Sequence, residues 1–179
     1  MTHALLIIDM HTFLVEGLWR GEDLARRLGA LASRAREVGV PVLVPHQVGP
    51  PGDPFDPDLP GREVSPLVGI GPEDRIVPKR ATDSFWETGL ADHLRSLGTD
   101  TVVVTGAATD YCVDATVRSA TSHGFAVELV SDGHAPMADG DPEAGIAPER
   151  IIAHHNSVLS QAIHPGGATR LVAADEALR

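Results

Sequence analysis

Short apolar runs alternate with amphipathic segments along this chain. Residues Ala4–Ile8 form an unbroken apolar run, as expected of a strand buried on both faces. Residues Glu22–Val38 carry Leu24, Leu28, Leu31 and Ala35 at helical spacing, and Gly39 then stops the helix. Val40–Val44 reads as the next strand, with Pro41 near its start. Further on, the pattern predicts strands over Arg75–Pro78, Thr101–Thr105, Phe125–Val130 and Thr169–Ala173. Thr101–Thr105 is the clearest of these, being β-branched throughout. Helices are predicted over Leu90–Leu97, Asp110–Ser122 and Pro148–Gln161. The stretch Gly49–Gly61 is so rich in proline and glycine that it must be a loop, and loops of this length are usually functional or mobile, a cap over a site being one such role. Gly69–Pro72 reads as a turn.

Strands alternating with helices imply an α/β fold with a parallel sheet covered on both faces. In such sheets chemistry gathers beyond the carboxyl ends of strands, at a topological switch point. Asp9 follows the first strand, Lys79 follows Arg75–Pro78, and Cys112 lies just beyond Thr101–Thr105 at the predicted start of a helix. All three can therefore converge. A helix start offers free N–H groups and partial positive charge, which lower a thiol's pKa and can hold an oxyanion. A carboxylate there can take the thiol proton and return it to a leaving amine, while an ammonium holds the carboxylate in place. On spacing alone each residue also has a plain structural reading: a small buried thiol, a turn aspartate, a solvated lysine.

Composition narrows the function. A length of 179 residues suits one domain spanning the chain. The net charge of −11 argues against nucleic acid and against anionic membrane surfaces. The single cysteine cannot form an internal disulfide, and the first residues carry neither a basic stretch nor an apolar run long enough for a signal or a membrane span. The expected location is cytoplasmic.

The octapeptide Gly106–Val113, together with Leu6–Met10, Val77–Lys79 followed by Ser84, Phe85 and Leu90, and Leu129–Asp132, resembles the isochorismatase-like cysteine hydrolases, which include nicotinamidases. Ile151–Asn156 recurs in some of them, and the resemblance runs from residue 4 to about residue 160. It implies a three-layer α/β/α fold around a six-stranded parallel sheet. It also implies an amide hydrolase in which Cys112 is the nucleophile, Asp9 the base and acid, and Lys79 the electrostatic support. A cis peptide between Ala107 and Ala108 would help build an oxyanion hole from the N–H groups of Ala108 and Cys112. Relatives of this kind are homo-oligomers, so a dimer or larger assembly is expected.

Two departures sharpen this expectation. Nicotinamidases bind a metal through an Asp-x-His pair after the second strand, whereas here His46 stands without that aspartate. No metal and no other cofactor is therefore expected, and Asp132-Gly133-His134 follows a different strand. His11 stands where many relatives carry Gln. The adjacent His154 and His155 point about 100° apart on a helix and suit a structural role.

Aromatic residues make up only 4% of the chain, yet Phe13, Trp19, Phe85, Trp86 and Tyr111 all fall close in sequence to Asp9, Lys79 or Cys112. With His11 and His46 they are the candidate substrate-binding residues. The expected substrate is a small amide, cyclic or aromatic ones included. Two alternatives stay open: vinyl ether hydrolysis of the isochorismatase type, which needs no cysteine, and a non-catalytic binding protein on the same fold.

Overall fold

A computed structural model describes residues 2–163 and 168–178. Six strands form one sheet: β1 (His3–Ile8), β2 (Val42–Gln47), β3 (Arg75–Lys79), β4 (Thr101–Ala107), β5 (Ala126–Ala135) and β6 (Thr169–Val172). Their order is β3-β2-β1-β4-β5-β6, and every neighbouring pair is parallel. The chain runs outward from β1 to β3, then returns to β4 on the other side of β1. The β1/β4 boundary is thus the switch point where a site is expected.

Five helices cover the sheet: α1 (Thr12–Gly17), α2 (Gly21–Glu37), α3 (Leu90–Ser96), α4 (Asp114–Ser122) and α5 (Pro148–Gln161). Alternation along β1 explains the three layers. Leu5 and Ile7 join the core under α2 with Leu24, Leu28 and Leu31. Ala4, Leu6 and Ile8 join the opposite core with Leu90, Leu94, Val117 and Leu159. A strand with both faces buried must be apolar at every position, which is why Ala4–Ile8 shows no alternation. Each large aliphatic side chain buried in these cores contributes roughly 1.5–3 kcal/mol.

Several strand boundaries differ from the sequence expectation. Strand β2 starts after Pro41 and runs on to Gln47, so Pro45, His46 and Gln47 belong to it. Pro78 sits in β3 without cost to the sheet, because β3 is an edge strand. Strand β5 continues past Val130 to Ala135, with a register shift against β4 between Val104 and Gly106. Gly133 makes this continuation possible, since a Cβ there would lie 2.7 Å from the Val130 side chain. The short helix α1 carries no apolar periodicity long enough to announce it.

The segment Asp110–Ser122 is not one α-helix. Thr109–Val113 forms a π-helical turn, and α4 begins only at Asp114. The Val113 N–H reaches back five residues to the Ala108 carbonyl at 3.1 Å, and the Tyr111 N–H reaches the same oxygen at 3.2 Å. Such turns are rare and recur at functional sites. No helix among the described residues is long and apolar enough to cross a membrane.

Candidate active site

Asp9 leaves β1 in the left-handed region, with φ of 51°. Aspartate tolerates this better than most residues. Beside it, Gly106 has φ of 117°, and a Cβ at this position would sit 2.2 Å from the Ile8 carbonyl oxygen. Only glycine lets β4 approach β1 this closely just before Ala107 and Ala108. The Ala107–Ala108 peptide bond is cis.

Asp9, Lys79 and Cys112 meet. Lys79 Nζ lies 2.7 Å from Asp9 Oδ2 and 3.3 Å from Cys112 Sγ. The ion pair is almost fully enclosed, with side-chain exposures of 0% for Lys79 and 2% for Asp9. The same ammonium also donates to Gln47 Oε1 at 2.9 Å and to the Ala81 carbonyl at 3.0 Å. A buried ion pair is tolerated best when its remaining hydrogen-bonding capacity is met, and these contacts meet that of the ammonium, while Asp9 Oδ2 has only the ion pair itself.

Gln47 is the hub of this arrangement. Its backbone N–H donates to Asp9 Oδ1 at 2.7 Å, its side chain accepts from Lys79, and its carbonyl accepts from His11 Nε2 at 3.0 Å. No motif signals this role, because the contacts follow from the β2/β3 register that sets Gln47 opposite Lys79.

The thiol behaves differently from the sequence expectation. Burial, then the charge of Asp9, pushes Cys112 up to about 12, and Lys79 only partly offsets them. The resting residue at neutral pH is a thiol. The expected lowering at a helix start fails because the residue lies within a tight turn beside a carboxylate, where desolvation outweighs the helix field.

A cleft of about 390 Å³ opens onto these groups. Asp9, Gln47, Ala107, Ala108, Tyr111 and Cys112 border it, and Leu14, Phe55, Ala81, Thr82, Arg80 and Met137 complete its wall. Its surface is largely apolar. Phe55 comes from the proline-rich loop, which folds back on itself through the Gly49 N–H to the Phe55 carbonyl and through Asp56, which accepts from Gly52 and Asp58. That loop thus supplies one wall of the cleft.

Of the seven candidate substrate-binding residues, only Tyr111 borders this cleft. His11 and His46 stack at 3.9 Å just behind it, with His46 Nε2 donating to the Arg62 carbonyl at 2.8 Å. Burial, then the neighbouring His11, holds His46 below the ordinary imidazole range. Phe13 packs edge-on against Phe55 and under the Arg62 guanidinium. Three expectations are corrected. Phe85 is a core residue on the sheet face opposite α2, stacked against Phe125 and His123. Trp86 is turned outward to a neighbouring surface hollow with Glu87 and Thr88, which shares Arg80 with the cleft and does not include Cys112. Trp19 lines a third hollow with Arg27 and Asp132. Proximity in sequence misled at these positions, because the chain turns sharply after Asp9 and after Lys79. The missed residues Leu14, Phe55, Arg80 and Met137 carry no motif.

Behind the π-turn, His134 is fixed in one tautomer. Asn156 Nδ2 donates to the Ser131 carbonyl at 3.0 Å, so its Oδ1 accepts from His134 Nε2–H at 3.0 Å, and the Thr109 hydroxyl donates to Nδ1 at 2.9 Å. Burial pulls this imidazole down to about 4 from an ordinary value of 6.5. Between those values the unfolded chain binds a proton that the folded chain does not. Stability therefore falls as pH drops from 6.5 through 4, by about 3 kcal/mol in full. Urea unfolding at pH 7 and at pH 4.5 should show this loss, and His134→Gln should reduce it. Among the described residues no three His, Cys, Asp or Glu side chains form a metal-holding group.

Comparison with known proteins agrees with this fold. Two streptothricin hydrolases of Streptomyces noursei are 36% and 37% identical to it, over 135 and 144 residues. These matches cover 74% and 76% of this chain but 49% and 57% of the relatives, so the chain spans about half the length of these curated proteins. An isochorismatase of Pseudomonas putida KT2440 shares the fold with a TM-score of 0.86 at 24% identity, over 97% of this chain and 89% of that one. Because the isochorismatase domain matches residues 3–152, the chain belongs to the isochorismatase family.

Proposed function

We propose that this protein is a cysteine hydrolase that cleaves the C–N bond of a small amide through a thioester. The observation that carries this reading is the meeting of the three side chains at the cleft, with Lys79 Nζ 2.7 Å from Asp9 and 3.3 Å from Cys112. The relationship to streptothricin hydrolases supports hydrolysis as the reaction class.

In the proposed sequence the Cys112 thiol gives its proton to the Asp9 carboxylate as sulfur attacks the amide carbon. Lys79 keeps its positive charge beside both groups. The N–H groups of Ala108 and Cys112 hold the oxyanion, which a fixed pair of donors stabilises without reorganisation. Collapse breaks the C–N bond, and Asp9 returns the proton to the departing nitrogen. Water then attacks the thioester with Asp9 again as base, the acid departs, and the thiol is restored. A resting thiol suits this order, since Asp9 needs a proton to receive. The largely apolar wall favours an acyl portion that is hydrophobic or planar.

Ammonia or amine release across an amide panel tests the activity. Cys112→Ala should lower turnover roughly 10⁴-fold or more. Full activity in that variant would rule out the thioester and favour vinyl ether hydrolysis, while an absence of turnover across both substrate classes would favour a binding protein.

A further inference from the structure

The charged groups at the cleft do not cancel. Asp9 and Lys79 neutralise each other at 2.7 Å, yet Arg80, next along the chain and exposed, also borders the cleft. Arg20, Arg26, Arg27, Arg36, Arg95, Arg118 and Arg170 each pair with a carboxylate. Among the described residues Arg80 has no such pair. Arg34, Arg62, Arg75 and Arg150 lack one too, but of these five only Arg80 borders the cleft. Beyond the Asp9–Lys79 pair, Arg80 is thus the one charged side chain lining a largely apolar cleft on an anionic molecule. A guanidinium offers a planar donor fork matched to a carboxylate.

We propose that Arg80 selects substrates that carry one carboxylate besides the scissile amide: the apolar wall holds the carbon skeleton, Arg80 takes the carboxylate, and Cys112 faces the amide carbonyl. This rests on the amide hydrolase reading in naming the substrate, but the role of Arg80 can be tested without turnover.

Cys112 is the only cysteine, so its alkylation is read cleanly by mass spectrometry. Iodoacetate and iodoacetamide both form an S–C bond and release iodide, and they differ in a carboxylate against a neutral amide. The quantity to measure is the ratio of their rates with Cys112, in the intact protein and in Arg80→Met. Asp9 repels iodoacetate equally in both proteins, so the change in ratio isolates Arg80. The ratio should fall about threefold or more in Arg80→Met. In 1 M salt the ratio of the unaltered protein should move toward that of the variant. A smaller fall, or none, would overturn the proposal. The outcome does not depend on hydrolysis, whereas the thioester reading stands or falls on Cys112→Ala. The exposed position of Arg80 leaves the fold intact in the variant.

Discussion

Replacing Asp9 with asparagine should make Cys112 more reactive toward iodoacetamide while nearly abolishing amide turnover. The two effects have one cause. Burial raises the thiol first, but the Asp9 charge and its hydrogen bond raise it further, and Lys79 works in the opposite direction. Asp9→Asn removes the carboxylate charge and leaves the Lys79 ammonium unopposed 3.3 Å from sulfur. The thiol then becomes more acidic, and one pKa unit corresponds to about a tenfold gain in thiolate at pH 7. Alkylation should rise by about that factor or more. Catalysis should fall about 10²–10⁴-fold, because asparagine can neither accept the thiol proton nor return one to the leaving nitrogen. A generally loosened site would not yield a faster thiol together with a slower enzyme in this ordered way. If alkylation and turnover fall together, Asp9 is not what holds the proton on sulfur, and its role as base is lost.

That divergence follows from a feature the sequence conceals. Position after a strand brought Asp9, Lys79 and Cys112 to one end of the sheet, because strand ends are legible from apolar runs. The four inner strands were legible for the same reason, since each leaves an unbroken or β-branched stretch, whereas the edge strands β3 and β6 are largely exposed. The environment of the thiol was not. A helix start predicts a lowered thiol pKa, whereas burial and the enclosed carboxylate raise it, and neither leaves a local signature. Gln47 shows the same limit, since its contacts with Asp9, Lys79 and His11 depend on strand register. Aromatic residues were the least legible. Phe85 and Trp86 are adjacent, yet one enters the core and the other meets solvent, at 5% and 51% exposure. Nearness along a chain says little about which way a side chain points when the backbone is turning.

The second large effect concerns stability. Lys79→Met should destabilise the fold by about 3–5 kcal/mol, because it leaves the Asp9 charge enclosed without its partner. The Gln47 N–H still reaches Oδ1, but Oδ2 loses its only cation. Gln47 Oε1 and the Ala81 carbonyl lose their donor as well. Adding Asp9→Asn to this background removes the stranded charge, so the double variant should recover part of the lost stability. Urea unfolding of the two single variants and the double variant gives a cycle, and the two losses should sum to more than the loss in the double. Strict additivity would mean that the pair contributes little beyond its separate members. Turnover should behave in the opposite manner, with the double variant no more active than either single. A site kept for packing would regain function along with stability. One kept for proton transfer would regain only the fold, since the neutral pair fills the space but can no longer pass a proton between Cys112 and the leaving nitrogen.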